Sequence, residues 1–247
     1  MTLTDARIPA VPVRSARIDG AAITANARIL VVRRGSGLVV ADLAADGYGH
    51  GAAATAKAAI AGGVNRFSVS RVEDALALDG LPTAEVIVTP GSRAAGSAVE
   101  SGVAGPELYG LTDEPDLRPA MRVSALVVGV KTIEAGEGVS YGHTFRAISR
   151  TNLALVGIGY ADGLDRSASN VASLQVGGIQ RRVAGRVAMN VLVVDLGSDT
   201  ASIGDEAVVF GDPSRGEPSV LSWAASLGTS ASEVATVFGS HLPREFS

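Results

Sequence analysis

Reactive side chains are few in this 247-residue chain, and their spacing narrows what they could do. Cysteine is absent, so disulfides and thiolate metal sites are excluded. The three histidines, His50, His143 and His241, are too scattered for a local metal-ligand motif. Of the 21 basic residues 19 are arginine, which leaves Lys57 and Lys131 as the only side-chain amines for Schiff-base chemistry. Lys57 falls within an Ala-rich helical run and Lys131 within a strand pattern, and both read as solvated surface. Ser140 and His143 suggest a nucleophile and its base, but residues three apart on a strand face opposite ways. The Gly-rich pieces form no phosphate-cradling loop of the P-loop kind. Of the four tyrosines two are the candidates, Tyr48 in Tyr48-Gly49-His50-Gly51 and Tyr141 in Val139-Ser140-Tyr141-Gly142. A tyrosine with an ordinary pKa of about 10 needs a nearby cation to act as a base at neutral pH.

The first of these tyrosines sits where local structure would expose it. Gly37–Gly51 runs from an apolar strand pattern (Leu38, Val39, Val40, Leu43) into the turn-forming Asp46-Gly47. An Ala-rich helical run, 51–62, follows at once. Strand, glycine-rich turn, helix puts functional groups at the carboxyl end of a parallel strand. The stretch resembles the first barrel strand of the alanine racemases and their fold-type III relatives, Val-Lys-Ala-Asn/Asp-Ala-Tyr-Gly-His-Gly. In that family the lysine forms the Schiff base with pyridoxal phosphate (PLP), and here its position is Ala44. The resemblance makes Tyr48 the tyrosine that binds the cofactor phosphate, with His50 in the same turn.

Around this stretch the chain has two halves. Residues 1–14 carry Pro9 and Pro12 and read as a loose arm. Residues 16–30 form a short strand and then a helix with Asn26, similar to the family's opening segment. Strand patterns at 38–43, 66–70 and 85–89 alternate with helical ones at 51–62 and 71–80, which indicates a parallel α/β sheet or barrel. A short helix fits 92–105 and a short strand 106–110. A complete (β/α)₈ barrel takes about 250 residues, roughly 200 at the least, whereas only three or four units fit before residue 118. Leu108-Tyr109-Gly110 resembles the end of the racemase barrel, which places the family's cofactor-supporting arginine at Val103 and implies that the middle of the barrel is absent.

Residues 112–119, with Pro115 and Pro119, read as the linker. Beyond them, apolar runs at 123–130, 152–158, 174–176, 191–196 and 207–210 indicate a β-rich domain. Five motifs there stand in the order of the alanine racemase C-terminal domain: Glu134–Gly142, Gly159-Tyr-Ala-Asp-Gly163 with Arg166, Gly185-Arg-Val-Ala-Met-Asn190, Asp195–Gly197 and Gly204–Ala207. The resemblance makes Tyr141 the catalytic tyrosine, which in the family reaches into the partner subunit's site. It makes Met189 a substrate contact, followed here by Asn190 instead of the usual Asp. Ser232 stands where the family has a tyrosine. The expected fold is therefore a truncated βα-barrel-like domain over 1–111 and an alanine-racemase-like C-terminal β domain over 121–247.

Composition excludes several functions. Apolar residues make up 47% and charged ones 19%, an ordinary globular balance, and the net charge of −4 gives no basic footprint for nucleic acid. No apolar run reaches bilayer length and the start lacks a signal-peptide core, so a cytoplasmic protein is expected. With lysine, arginine and tyrosine lost at Ala44, Val103 and Ser232, the expectation is no cofactor and no racemase activity. A half-barrel exposes a sheet edge, so a homodimer, or a heterodimer with a full-length racemase, is expected, in a binding, regulatory or scaffold role. Two half-barrels could also complete one another across two chains. The alternative is a PLP-dependent amino-acid racemase with a remodelled site.

Overall fold

The start and the end of the described chain enter one sheet. The computed structural model describes residues 12–35, 37–83, 85–88 and 102–247. Strand β1 (Arg14–Ile18) pairs antiparallel with β6 (Met121–Ile133) and parallel with β14 (Arg244–Phe246). The segment read as an N-terminal arm therefore becomes strand at Arg14, and β1 is built into the β domain's sheet. Residues 1–11 and most of the helix expected at 92–105 lie outside the described residues. The described part of that stretch, β5 (Val103–Ala104), is strand.

Two sheets follow from two hydrophobic patterns. Over β6 the residues Met121, Val123, Ala125 and Val127 are buried and their neighbours are not, the period of two that one buried face imposes. The strand bulges between Val127 and Gly129, where it passes from β13 (Glu206–Phe210) to β9 (Thr151–Val156) as partner. The large sheet runs β11 (Ile179–Arg182), β10 (Ser173–Val176), β13, β6, β1, β14, with β12 (Leu192–Gly197) paired to β9. Two-residue strands β7 (Gly138–Val139) and β8 (Phe145–Arg146) make a separate small ribbon. The second sheet is parallel, in the order β4 (Glu85–Val88), β3 (Arg66–Val69), β2 (Val40–Asp42), β5. Both faces of β2 are buried, as a parallel strand requires. Among the described residues this sheet does not close, so the fold is an open βα half-barrel followed by a β domain.

Helices cover one face of the half-barrel. Asp19 caps α1 (Gly20–Arg34) by accepting from the Ala22 amide at 2.9 Å, and Arg33 and Arg34 lie at its carbonyl end. Beyond a single turn, α2 (Ala44–Tyr48), comes α3 (Ala52–Ala61), which packs on α1; a Cβ on Gly62 would overlap Ala27, and the Thr24 hydroxyl donates across to the Ala58 carbonyl. Short α4 (Val72–Leu76) follows β3. Asn26 is fully buried on α1. Its amide donates to the Leu108 and Arg118 carbonyls and its carbonyl accepts from the Arg118 amide, tying the helix to the linker. The short strand expected at 106–110 is instead a 3₁₀ turn, Pro106–Tyr109, because Pro106 cannot donate to a ladder and suits the first position of a helical turn.

The β domain also carries two helices that its strand pattern concealed. Ser219 caps α5 (Val220–Leu227) and Ser230 caps α6 (Ala231–His241). Val234, Ala235 and Phe238 form the buried stripe of α6, and Phe238 meets Phe210 and Trp223 edge-on. A single apolar cluster runs from α1 through the half-barrel to these helices. Among the described residues no helix is long and apolar enough to cross a membrane.

Candidate functional site

The turn between β2 and α3 is wound the wrong way for L-residues. Ala45, Asp46, Gly47 and Tyr48 all have φ between 52° and 65°, one turn of left-handed helix. Such a conformation costs about 1–2 kcal/mol at each non-glycine residue, so the surroundings must hold it. Asp46 does much of this. Its carboxylate accepts from the Ala52 amide at 2.7 Å and pairs with Arg244 on β14 at 2.5 Å. Gly49, at φ 79°, is pressed against α6, where a Cβ would stand 2.7 Å from the Ala235 carbonyl oxygen. A Cβ on Gly239 would overlap the Gly49 carbonyl. The turn is thus clamped by the other domain.

Inside the clamp lies a buried polar cluster. The Tyr48 hydroxyl donates to Asp42 Oδ2 at 2.7 Å. Asp42 Oδ1 accepts from the Ser68 hydroxyl and the Ala44 amide, each at 3.1 Å, and the Tyr109 hydroxyl donates to the Asp42 carbonyl at 2.7 Å. Asp42 is 4% exposed, and three donors compensate its carboxylate. Burial first, and then the Asp42 charge, pushes the Tyr48 and Tyr109 hydroxyls above their ordinary pKa, so neither is a base. His50 is fully buried; its Nδ1 donates to the Gly47 and Tyr48 carbonyls, each at 3.0 Å, and Nε2 has no partner among the described residues. Burial lowers its pKa to about 4, with Arg244 adding to the effect, so the ring is neutral. Its ring packs 4.6 Å from that of Tyr109.

The remaining expected site residues lie elsewhere. Tyr141 is 79% exposed, on a recess of about 460 Å³ shared with Ser140, His143, Arg186, Val191 and Val193. Met189 is 53% exposed, and its carbonyl accepts from the Ala161 amide. Among the described residues no hydrogen bond or ring contact joins Tyr141 to Tyr48 or His50. The segment read as a strand through Ser140 and His143 turns at Tyr141–His143, and the Ser140 hydroxyl is spent on the Arg186 carbonyl at 2.6 Å, so no dyad forms. Ala44, half-buried, opens the turn two residues beyond β2 and offers only a methyl group. Val103, on β5, pairs with Val40 of β2, and Ser232 lies half-buried on α6. Lys57 and Lys131 are exposed, on α3 and β6. No group of three or more His, Asp or Glu among the described residues could hold a metal.

This frame matches a known one. The alanine racemase C-terminal domain family matches residues 120–246, just over half of the chain, and the alanine racemase N-terminal domain family matches residues 18–136. The chain belongs to the alanine racemase family. It is 45% identical over 144 residues to the alanine racemase of Thermobifida fusca and 46% identical over 145 residues to that of Mycobacterium avium, each match covering 56% of this chain. The matched part is 38% and 37% of those relatives, so the chain spans under two-fifths of their length. The solved alanine racemase of D-cycloserine-producing Streptomyces lavendulae superposes with a TM-score of 0.84 at 28% identity, over 96% of this chain and 98% of that one. That of Streptomyces coelicolor gives 0.83 at 26%, over 94% and 97%.

Against the alanine racemase frame, Asp42 and its partners Ser68 and Tyr109 are cluster members that the sequence motifs do not mark as site residues. Asp42 stands two positions before Ala44, inside the apolar run Val39-Val40-Ala41-Asp42-Leu43. A carboxylate in a strand buried on both faces was the available signal, since such a group needs partners.

Proposed function

We propose that this alanine racemase family member does not bind PLP in the family's way and does not racemise amino acids by itself. The carrying observation is the end of β2, where Ala44 offers no amine and the Tyr48 hydroxyl is already given to Asp42. A phenol has one O–H to donate. With Tyr48 committed, a phosphate would lose that donor and face a buried carboxylate in a low-dielectric setting, where like charges repel strongly. Val103 and Ser232 remove two further polar groups that the resemblance assigns to cofactor and substrate. These residues do not fit PLP.

What the chain keeps is a β domain with its exposed loops. Tyr141, exposed beside Arg186, is placed as a residue offered outward, and the parallel sheet is open among the described residues. The function supported best is that of a binding or regulatory protein acting through association, with a second copy or with a full-length alanine racemase. Light scattering on the purified chain, alone and mixed with a full-length racemase, together with D-alanine formation, tests this. A dimer or a mixed complex, with no turnover by the chain alone, is the expected result. A monomer that ignores the racemase, or PLP-dependent turnover by the chain alone, would overturn it.

A further inference from the structure

We propose that the recess between helices α5 and α6 and the 163–167 turn binds a small amphipathic amine, an ammonium group carried on an aromatic or aliphatic body. The recess, about 750 Å³, falls in the size range of small-molecule sites. It is separate from the residues discussed so far: Tyr141, Met189, Arg186 and Ser232 do not line it.

Its floor is apolar and fixed. Leu164, Trp223, Val234 and Phe238 are buried beneath it, and Leu227 and Val237 are half-buried at its sides. The Trp223 indole donates to the Ser173 carbonyl at 3.0 Å and meets the Phe238 ring edge-on, 6.4 Å between centres. Gly163, at φ 89°, lies so close to α6 that a Cβ there would stand 2.9 Å from Val237 Cγ1 and 3.3 Å from His241 Cγ. Turn and helix are therefore set before any ligand arrives, which lowers the ordering cost of binding.

The rim offers acceptors. Asp165 accepts from the Ser167 amide at 2.7 Å, and Glu233 accepts from the Thr229 hydroxyl. Neither carboxylate pairs with a cation among the described residues, whereas Asp46, Asp162, Glu206 and Glu217 all do. The hydrogen bonds from Ser167 hold the Asp165 carboxyl below its usual range, so it carries its charge. His241 Nδ1 donates to the Val237 carbonyl at 2.8 Å, which in the neutral ring leaves Nε2 an acceptor. Arg166 is the only arginine or lysine on the lining, and its guanidinium carbon lies 5.8 Å from the centre of the Tyr160 ring. Two carboxylates against one guanidinium leave a net negative rim above an apolar floor. An ammonium at the rim, with its apolar body on the floor, satisfies both.

Trp223 is the single tryptophan of the chain, so its fluorescence reports on the floor. Titration of the full chain at low salt with benzylamine should give a saturable change in emission. Benzyl alcohol and benzoate, of like size but neutral and anionic, should bind at least about tenfold more weakly, the size of one charge-assisted hydrogen bond. Glu233→Gln and Asp165→Asn should each weaken benzylamine binding by about tenfold on the same scale. Arg166→Gln, which removes a like charge, should not weaken it, and Glu73→Gln, at an exposed carboxylate on α4, should leave it unchanged. Both rim carboxylates are on exposed residues, so circular dichroism should show folded variants. No saturable binding of benzylamine, equal binding of the alcohol or of benzoate, a weakening by Arg166→Gln, or an equal loss from Glu73→Gln would overturn the proposal.

Discussion

The turn at Ala45–Gly51 and the loops bearing Tyr141, Tyr160 and Met189 carry motifs of the same family, but they have kept different things. In the half-barrel the motif shapes the backbone: the turn is left-handed, Gly49 closely approaches Gly239, and Asp46 pairs with Arg244. Its polar groups are turned inward and bonded to one another. In the β domain Tyr141, Tyr160 and Met189 are exposed, on loops held where Asn170 accepts from the Gly185 amide, Ser169 accepts from the Val187 amide and Ser140 donates to the Arg186 carbonyl. In one region the motif's groups serve the core, and in the other they face outward. A motif in sequence records both without saying which.

Breaking the sealed region should have the largest consequence. Gly239→Ala drives a methyl group into the Gly49 carbonyl where two backbones meet, and should lower unfolding free energy by about 3 kcal/mol, the upper range for overpacking. Urea denaturation measures it. The same substitution style at Gly177, with nothing near its Cβ but a φ of 60°, should cost no more than about 1 kcal/mol.

The pH dependence of stability sharpens the contrast further. His50 folds with its pKa lowered from 6.5 to about 4 by burial. A depressed folded value means the unfolded chain takes up a proton first as pH falls. Stability is therefore complete above about pH 6.5 and is lost as pH drops toward about 4, by up to about 3 kcal/mol. Denaturation midpoints between pH 7 and pH 4 should fall in the native chain, and His50→Gln should flatten that part of the slope.

Smaller effects follow at partly exposed groups. Arg244→Ala removes the partner of Asp46, and because both side chains reach solvent the loss should be about 1 kcal/mol. Tyr141→Phe, at a largely exposed ring, should change stability by less than about 0.5 kcal/mol. Its effect should appear instead in association, measured by light scattering against a full-length racemase.

Much of this was legible in the sequence because it rests on local pattern. Alternation in Val123–Val130 and the strand–helix succession up to residue 88 announced both sheets, and the ordered motifs from Glu134 onward announced the domain. Ala44 was readable because the motif around it is dense. Three features were not. Helices α5 and α6 hid within a Ser-, Gly- and Thr-rich segment whose buried stripe is narrow. Pro106 made a turn of what hydrophobicity alone suggested was strand. Asp42 gains its meaning from Tyr48, Ser68 and the Ala44 amide, partners up to 26 residues away that no local window joins.

On the proposed function, the turn after β2 holds an internal hydrogen-bonded cluster in place of a cofactor site. Titration of the purified chain with pyridoxal phosphate, followed by borohydride reduction and mass spectrometry, tests it most directly. The account predicts no reduced adduct at stoichiometric cofactor. A stoichiometric adduct on Lys57 or Lys131, accompanied by alanine racemisation, would contradict it.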